Sequence, residues 1–109
     1  MVSPKISRFS VWQVQLNPTQ GAEISKTRPC VVISPDELAL LNTVIIAPMT
    51  SKGFAYPSRV VCHFQGKDGL IVLDQLRTVD KARLIKPLGF LDDDAKIEVC
   101  ERLQEMFAF

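Results

Sequence analysis

Three polar segments, each next to an apolar strand-like run, contain the residue types that could act on an anionic substrate. The first combines one carboxylate, Glu23, with two cations, Lys26 and Arg28. Gly21 allows a ligand to approach the backbone closely, and Pro29 favours an extended backbone at Arg28. The spacing predicts a guanidinium held at the mouth of the next strand. The alternative is a solvent-exposed ion pair of Glu23, which would contribute little to stability.

The second segment follows a buried strand, as phosphate-binding loops often do. Its hydroxyls, Thr50 and Ser51, precede a cation, Lys52. A threonine hydroxyl can hydrogen-bond a phosphate oxygen, and a lysine can supply charge. Phe54 and Tyr56 come next, and exposed aromatic rings near cations commonly stack unpaired bases. The alternatives are an ordinary polar turn and two rings that belong to the core.

The third segment ends an apolar strand with Asp74, Gln75, Arg77 and Thr78. These residues would place several hydrogen-bonding groups at one rim of the fold. For Gln75 and Thr78 we favour a structural role, in a buried polar network that holds the barrel closed. The single histidine, His63, has the chemistry of a general base, but its apolar neighbours favour an ordinary strand position.

Apolar periodicity and turn signals between these segments predict a mainly β fold. The expected strands are short and six in number: Ser10–Leu16, Pro29–Ser34, Thr43–Ala47, Ser58–Phe64, Leu70–Asp74 and Lys81–Phe90. Residues 17–27 and 48–57 are expected to form two long loops. Residues 35–41 are expected to form one or two helical turns, and residues 65–69 a hairpin turn.

One helix is expected at the C-terminus, over Asp92–Phe107. Its three leading aspartates supply an N-cap and compensate the helix dipole. The predicted apolar face consists of Ile97, Cys100, Leu103 and Phe107. Short strands joined by turns usually close into a small barrel, and the helix would cover one end. With 109 residues, we expect a single domain over 1–109.

Composition and charge narrow the function classes. Residues 1–91 carry 11 Lys or Arg against 6 Asp or Glu, and residues 92–109 carry 2 against 6. A basic body of charge +5 with an acidic end of −4 fits an anionic partner on the body. Cys30, Cys62 and Cys100 lack metal-site spacing and are expected to be reduced and mostly buried. Met1–Ser10 lacks the apolar core of a secretory signal, and no stretch could span a bilayer, so we expect a cytoplasmic protein without membrane association.

Taken together and in chain order, the segments resemble the MazF/PemK family of toxin ribonucleases. The strongest part is Gly-x-Glu-x(4)-Arg-Pro at 21–29, followed by Pro-x-Thr-Ser and Asp-Gln-x-Arg-Thr. The matching stretches cover nearly the whole chain: 11–12, 17–29, 31–34, 43–51 and 74–84. The resemblance implies an SH3-like small barrel with a C-terminal helix, in a homodimer. It also implies a cognate antitoxin whose flexible acidic segment lies over the RNA groove.

The resemblance also implies site residues. It carries the catalytic arginine onto Arg28, the catalytic threonine onto Thr50 and the loop glutamate onto Glu23. In some members the aspartate at the position of Asp74 is catalytic. Those members also have an arginine two residues earlier and a histidine before the glutamate, where this chain has Val72 and Ala22. The chain also has Phe9 and Ser10 where the family usually has a glycine and an acid. We therefore favour a site centred on Arg28 and Thr50.

The expected reaction is sequence-specific cleavage of single-stranded RNA by its own 2′-hydroxyl, which attacks the adjacent phosphorus. The family precedent implies a 2′,3′-cyclic phosphate and a 5′-hydroxyl as product ends, with no metal or cofactor. Arg28 and Thr50 would stabilise the phosphorane, and Glu23 is the sensible proton acceptor. The remaining polar and aromatic residues of the three segments are expected to bind substrate: Gly21, Lys26, Ser51, Lys52, Phe54, Tyr56, Asp74, Gln75 and Arg77.

Two rival interpretations remain open. Gyrase-poisoning toxins share the expected barrel, but they depend on a C-terminal tryptophan, and the only tryptophan here is Trp12. A non-catalytic SH3-like binding module would explain the missing glycine and acid after Arg8. The presence of Glu23, Arg28 and Thr50 together argues against the second of these.

Overall fold

The computed structural model describes residues 5–109. The segment Met1–Ser10, in which no secretory signal is expected, lies partly outside these residues. Seven strands and one helix form in chain order: β1 (Ser10–Gln15), β2 (Thr27–Val32), β3 (Thr43–Thr50), β4 (Arg59–Phe64), β5 (Lys67–Val72), β6 (Arg77–Asp80), β7 (Leu84–Phe90) and α1 (Asp93–Phe107). Single 3₁₀ turns occupy Asp36–Leu38, Leu73–Gln75 and Lys81–Arg83. Within residues 5–109, no helix is long and apolar enough to cross a membrane.

The strands form one antiparallel sheet in the order β4-β5-β3-β2-β1-β7, and β6 pairs with β3 outside this path. β3 uses one edge for two partners. Its first half pairs with β6 as far as Ile46, and its end pairs with β5 at Met49 and Thr50. The sheet therefore bends into a half-barrel. The expectation of a mainly β, SH3-like barrel fold with a C-terminal helix is confirmed.

Both faces of the central strands are buried, because side chains alternate between two apolar clusters. Val11 and Val31 face a cluster that also holds the inner face of α1. Trp12, Val14 and Cys30 face the other cluster, which Ile24 of the β1–β2 loop partly covers. The β1–β2 loop thus covers part of the second cluster.

The cysteines behave as ordinary core residues. Cys30 and Cys62 are buried free thiols and Cys100 is half-buried, as expected. Burial raises the pKa of Cys30 to about 12, an effect that the charge of Arg77 partly opposes. A thiol with such a pKa stays protonated and unreactive at neutral pH.

The strand prediction missed two features. β3 continues through Pro48 to Thr50, so the following loop begins at Ser51 rather than at Pro48. Pro48 lies where β3 changes partner from β6 to β5, and a missing N–H is tolerated at such a break in the ladder. β6 was not predicted, because its four residues are mostly polar and only Val79 is buried.

The helix is confirmed, but its predicted apolar face is only partly right: Leu103 packs against the core, whereas Ile97 and Phe107 do not. Asp92 is the N-cap and its side chain accepts a hydrogen bond from the Ala95 amide at 2.8 Å. Ala95 and Val99 are buried, whereas Ile97 and Phe107 are 59% and 71% exposed. The true stripe runs from Ala95 through Val99 to Leu103 and Met106. Spacing alone favoured the larger side chains, while contact with β4 selects the smaller ones.

The position of this stripe can be tested by matched truncations. Val99→Ala should lower the free energy of unfolding by about 2 kcal/mol, because two buried methyl groups lose their contacts. Ile97→Ala should change it by less than about 0.5 kcal/mol, because that side chain is already in solvent. Urea unfolding followed by Trp12 fluorescence measures both. Equal losses would contradict the observed orientation of the helix.

Candidate active site

Arg28 lies near the start of β2, and Thr50 ends the neighbouring strand β3. The β2–β3 ladder pairs Val31 with Ala47 and ends with Cys30 opposite Pro48. The same register extended by two residues would bring Arg28 level with Thr50. Both residues line a cleft of about 260 Å³, bounded by the start of β2, the end of β3 and the β4–β5 hairpin. The two residues that the resemblance marks as catalytic therefore share one cleft.

The backbone positions both side chains. Arg28 pairs with Val14 of β1, and its Nε donates to the Ser25 carbonyl at 3.4 Å. The rest of the guanidinium is exposed. The Thr50 hydroxyl oxygen accepts a hydrogen bond from the Lys52 amide at 3.2 Å. That contact uses a lone pair, so the hydroxyl hydrogen stays available to donate to a phosphate oxygen.

A glycine on β5 sets the position of Thr50. Thr50 pairs with Leu70, and a Cβ at the preceding residue, Gly69, would lie 3.0 Å from the Thr50 carbonyl oxygen. Any side chain at that position would push the end of β3 away from the hairpin. The close approach of the two strands therefore depends on glycine.

Glu23 does not line the cleft of Arg28 and Thr50. It lines a second cleft of about 540 Å³ together with Asp74 and other predicted binding residues: Gln75 and Arg77. Its Oε1 accepts a hydrogen bond from the Gln20 amide at 2.6 Å. Pro48 lines the second cleft, and the next residue of β3, Met49, lines the first.

Gln75 and Arg77 hold the β1–β2 loop in place. Gln75 Oε1 accepts a hydrogen bond from the Ile24 amide at 2.7 Å, and its Nε2 donates to the Ala22 carbonyl at 3.3 Å. Arg77 Nη1 donates to the Leu16 carbonyl at 3.1 Å. Gln75 therefore has a structural contact, but it anchors a loop and is only half-buried, rather than holding the barrel closed in a buried network. Thr78 is not part of a buried network either, because it is exposed on β6.

Asp74 is engaged by a residue that the sequence analysis did not single out. Arg59 Nε lies 3.1 Å from Oδ1, and Arg59 Nη2 lies 3.4 Å from Oδ2. The Ser58 hydroxyl donates to Oδ1 at 3.0 Å. Partial burial would raise the pKa of Asp74, but the hydrogen bonds from Arg59 and Ser58 outweigh it and lower the pKa. The only feature of the sequence that could have drawn attention to Arg59 is its position as the first residue of an apolar strand.

The aromatic residues of the β3–β4 connection, which we call the 51–58 loop, are on the surface. Phe54 is 75% exposed and Tyr56 is 54% exposed, so the alternative that they belong to the core is wrong. Their ring centroids lie 6.4 Å apart in an edge-to-face arrangement. Ser51 lines the cleft of Arg28 and Thr50, and Lys52 is exposed beside it.

The remaining candidates do not line that cleft themselves, although Asp68, which contacts His63, does. Gly21 and Lys26 are exposed on the β1–β2 loop, and the Lys26 amide donates to the Asn17 side chain at 3.1 Å. His63 Nδ1 lies 2.7 Å from Asp68 Oδ1. Within residues 5–109, no three His, Cys, Asp or Glu side chains form a group that could hold a metal ion.

The half-barrel with one C-terminal helix is the fold of MazF toxins. The crystal structure of MazF from Deinococcus radiodurans matches with a TM-score of 0.84 at 23% identity, over 98% of this chain and 100% of that one. The Mycobacterium tuberculosis toxin MazF-mt6 matches with a TM-score of 0.76 at 18% identity, over 90% of this chain and 95% of that one. A mycobacterial endoribonuclease in complex with its cognate antitoxin matches with a TM-score of 0.77 at 17% identity, over 94% and 93%.

The family model matches residues 7–107 and describes a PemK-like, MazF-like toxin of a type II toxin-antitoxin system. The match covers nearly the whole chain. The protein therefore belongs to this toxin family.

The anchoring role of Gln75 predicts a local effect on the β1–β2 loop. Gln75→Ala should accelerate amide hydrogen exchange at Ile24 by about five- to tenfold, because that amide loses its acceptor. Gln75→Glu keeps the acceptor and should preserve most of the protection. The Lys96 amide, which bonds to Asp92 inside α1, serves as the internal reference. Unchanged exchange at Ile24 in Gln75→Ala would rule out this anchor.

Proposed function

We propose that this toxin is a sequence-specific, metal-independent endoribonuclease that cleaves single-stranded RNA. The observation that carries the proposal is that Arg28, near the start of β2, and Thr50, at the end of β3, line the same cleft of about 260 Å³. A permanently charged planar donor beside a hydroxyl donor suits the oxygens of a phosphate that is gaining negative charge.

The reaction uses the 2′-hydroxyl of the substrate as the nucleophile. Attack on the adjacent phosphorus forms the new O–P bond and breaks the bond to the 5′-oxygen, which takes a proton from water. The products are a 2′,3′-cyclic phosphate and a 5′-hydroxyl. Arg28 and the Thr50 hydroxyl donate to the equatorial oxygens, where the charge grows in the transition state. Because both residues lie on paired strands, the two donors are preorganised before the substrate arrives.

Glu23 is our candidate for the group that takes the 2′-proton. A carboxylate is chemically suited to this step, and arginine is not, because its guanidinium stays protonated. Glu23 lies on the exposed β1–β2 loop and its carboxylate is bonded to the Gln20 amide in the neighbouring cleft. The step therefore requires this loop to carry the carboxylate along β3 when RNA binds.

The substrate and partners follow from the exposed groups around the cleft. Unpaired bases have free faces and edges that the Phe54 and Tyr56 rings and the loop polar groups can contact. We propose that the protein acts in the cytoplasm as a homodimer. We also propose that a cognate antitoxin controls it, as the family description and the antitoxin complexes of similar structures suggest.

The central test is RNA cleavage in EDTA. Purified protein should cut a long unstructured transcript without added metal, and Arg28→Ala should reduce the rate by on the order of 10²–10³. Lys86→Ala is the matched control, because it removes one exposed cation on β7 and should cut at the wild-type rate. Cleavage that depends on added Mg²⁺, or an Arg28→Ala variant as active as the control, would refute the proposed site.

A second test addresses the nucleophile. A deoxyribose placed on the 5′ side of a mapped cut should abolish cleavage at that bond, because the attacking hydroxyl is missing. The products of the all-ribose substrate should carry 5′-hydroxyl ends, which polynucleotide kinase labels without phosphatase treatment. Continued cutting at the deoxyribose position would exclude this mechanism.

A further inference from the structure

Two guanidinium groups link the 51–58 loop to the body of the protein. Arg102 of α1 donates from Nη1 to the Pro57 carbonyl at 3.1 Å, and Arg59, which is largely buried, makes the larger set of contacts. Only 17% of the Arg59 side chain is exposed. Its Nη1 donates to the Phe54 carbonyl at 3.3 Å, and its centre lies 5.0 Å from the centroid of the Tyr56 ring. Its Nε and Nη2, on the other side of the guanidinium, contact the two carboxylate oxygens of Asp74. One side chain therefore contacts both aromatic residues of the loop and a carboxylate outside it.

Two backbone hydrogen bonds and one close approach hold the 51–58 loop against Arg59. The Arg59 amide donates to the Tyr56 carbonyl at 2.9 Å, and the Leu73 amide donates to the Ser58 carbonyl at 3.1 Å. A Cβ at Gly53 would lie 3.2 Å from Arg59 Nη1. The loop thus folds tightly against the guanidinium and leaves little room for a side chain at position 53.

The position of the rings relative to the cleft suggests what this arrangement serves. The 51–58 loop starts immediately after Thr50, so the rings follow the proposed catalytic hydroxyl by a few residues along the chain. Both rings stay exposed although burial would be favourable. Tyr56 has a cation against one side and more than half of its surface in solvent. A ring held in this way is preorganised to stack on a base.

We propose that Arg59 is a positioning residue that fixes Phe54 and Tyr56 as a stacking platform for an unpaired base of the RNA, with Asp74 as its anchor. This inference rests on the proposed ribonuclease function. It assigns Asp74 a structural task, because both of its oxygens are engaged by Arg59 and Ser58. Arg59 acts on substrate only through the rings, so its loss weakens RNA binding rather than the chemical step.

The first arm of the test needs no RNA. Chymotrypsin can cut the Phe54–Ala55 bond, whereas Tyr56 is protected by the proline that follows it. Arg59→Gln should accelerate cutting after Phe54 by about tenfold, because the loop opens more often. Arg83→Gln is the matched control. It removes a guanidinium that binds the Gln15 and Asn17 carbonyls at the other loop and should not alter this cut.

The second arm separates binding from chemistry, using an oligoribonucleotide that contains a mapped cut site. Arg59→Gln should raise KM by about tenfold, as expected for the loss of one stacked base, and change kcat by less than about threefold. Arg59→Lys keeps the charge and should recover part of the effect. Phe54→Ala/Tyr56→Ala should raise KM similarly, and adding Arg59→Gln should cause no further loss.

The outcomes discriminate between the proposals. The positioning role of Arg59 would be overturned if Arg59→Gln left KM unchanged or lowered kcat alone. It would also be overturned if the KM effects of Arg59→Gln and of the double ring truncation multiplied in the combined variant. A fall in kcat of Asp74→Asn as large as that of Arg28→Ala would also overturn it, by making Asp74 catalytic. Wild-type protein that cuts no RNA would overturn the proposed function and the platform with it, while faster cutting after Phe54 would still establish that Arg59 holds the loop.

Discussion

The antiparallel pairing of β2 with β3 is the constraint on which the candidate site depends. It brings the start of β2, which carries Arg28, beside the end of β3, which carries Thr50, and each residue pairs with a further strand, Arg28 with β1 and Thr50 with β5. A shift of one residue would send the two side chains to opposite faces. Burial of both faces of the central strands makes such a shift costly, because every apolar side chain would change clusters. The core therefore stabilises the geometry of the cleft.

Arginine has two different tasks in this molecule. Arg59, Arg77 and Arg83 donate to backbone carbonyls and hold the two long loops. Arg28 makes one such contact, through Nε, and the residue is exposed at the wall of the cleft. The planar fork suits both tasks, since it binds two acceptors at once or spreads charge over a phosphate. Charge count predicts a basic body, whereas only the structure distinguishes the cations that hold loops from those that line the cleft, Arg28 and Lys67.

Particular elements show where sequence reasoning succeeded and where it failed. Strand β1 and helix α1 were predictable, because alternation and an aspartate N-cap are local signals. The buried face of α1 was not, because spacing does not reveal which stripe meets β4. The strand character of Thr50 was also missed, since Pro48 resembles the start of a loop and only the change of partner on β3 makes it acceptable.

The sequence by itself determined the class of fold and the family resemblance, and through that resemblance it singled out Arg28 and Thr50 as the proposed catalytic pair, because these depend on residue types in a fixed order. The tertiary structure decided which of the other candidates stand near them. It placed Glu23 in a neighbouring cleft, turned Gln75 into a loop anchor and joined Asp74 to Arg59. The physical reason is that these contacts link residues 15 to 53 positions apart in the chain. Only the closed sheet brings such residues within hydrogen-bond distance.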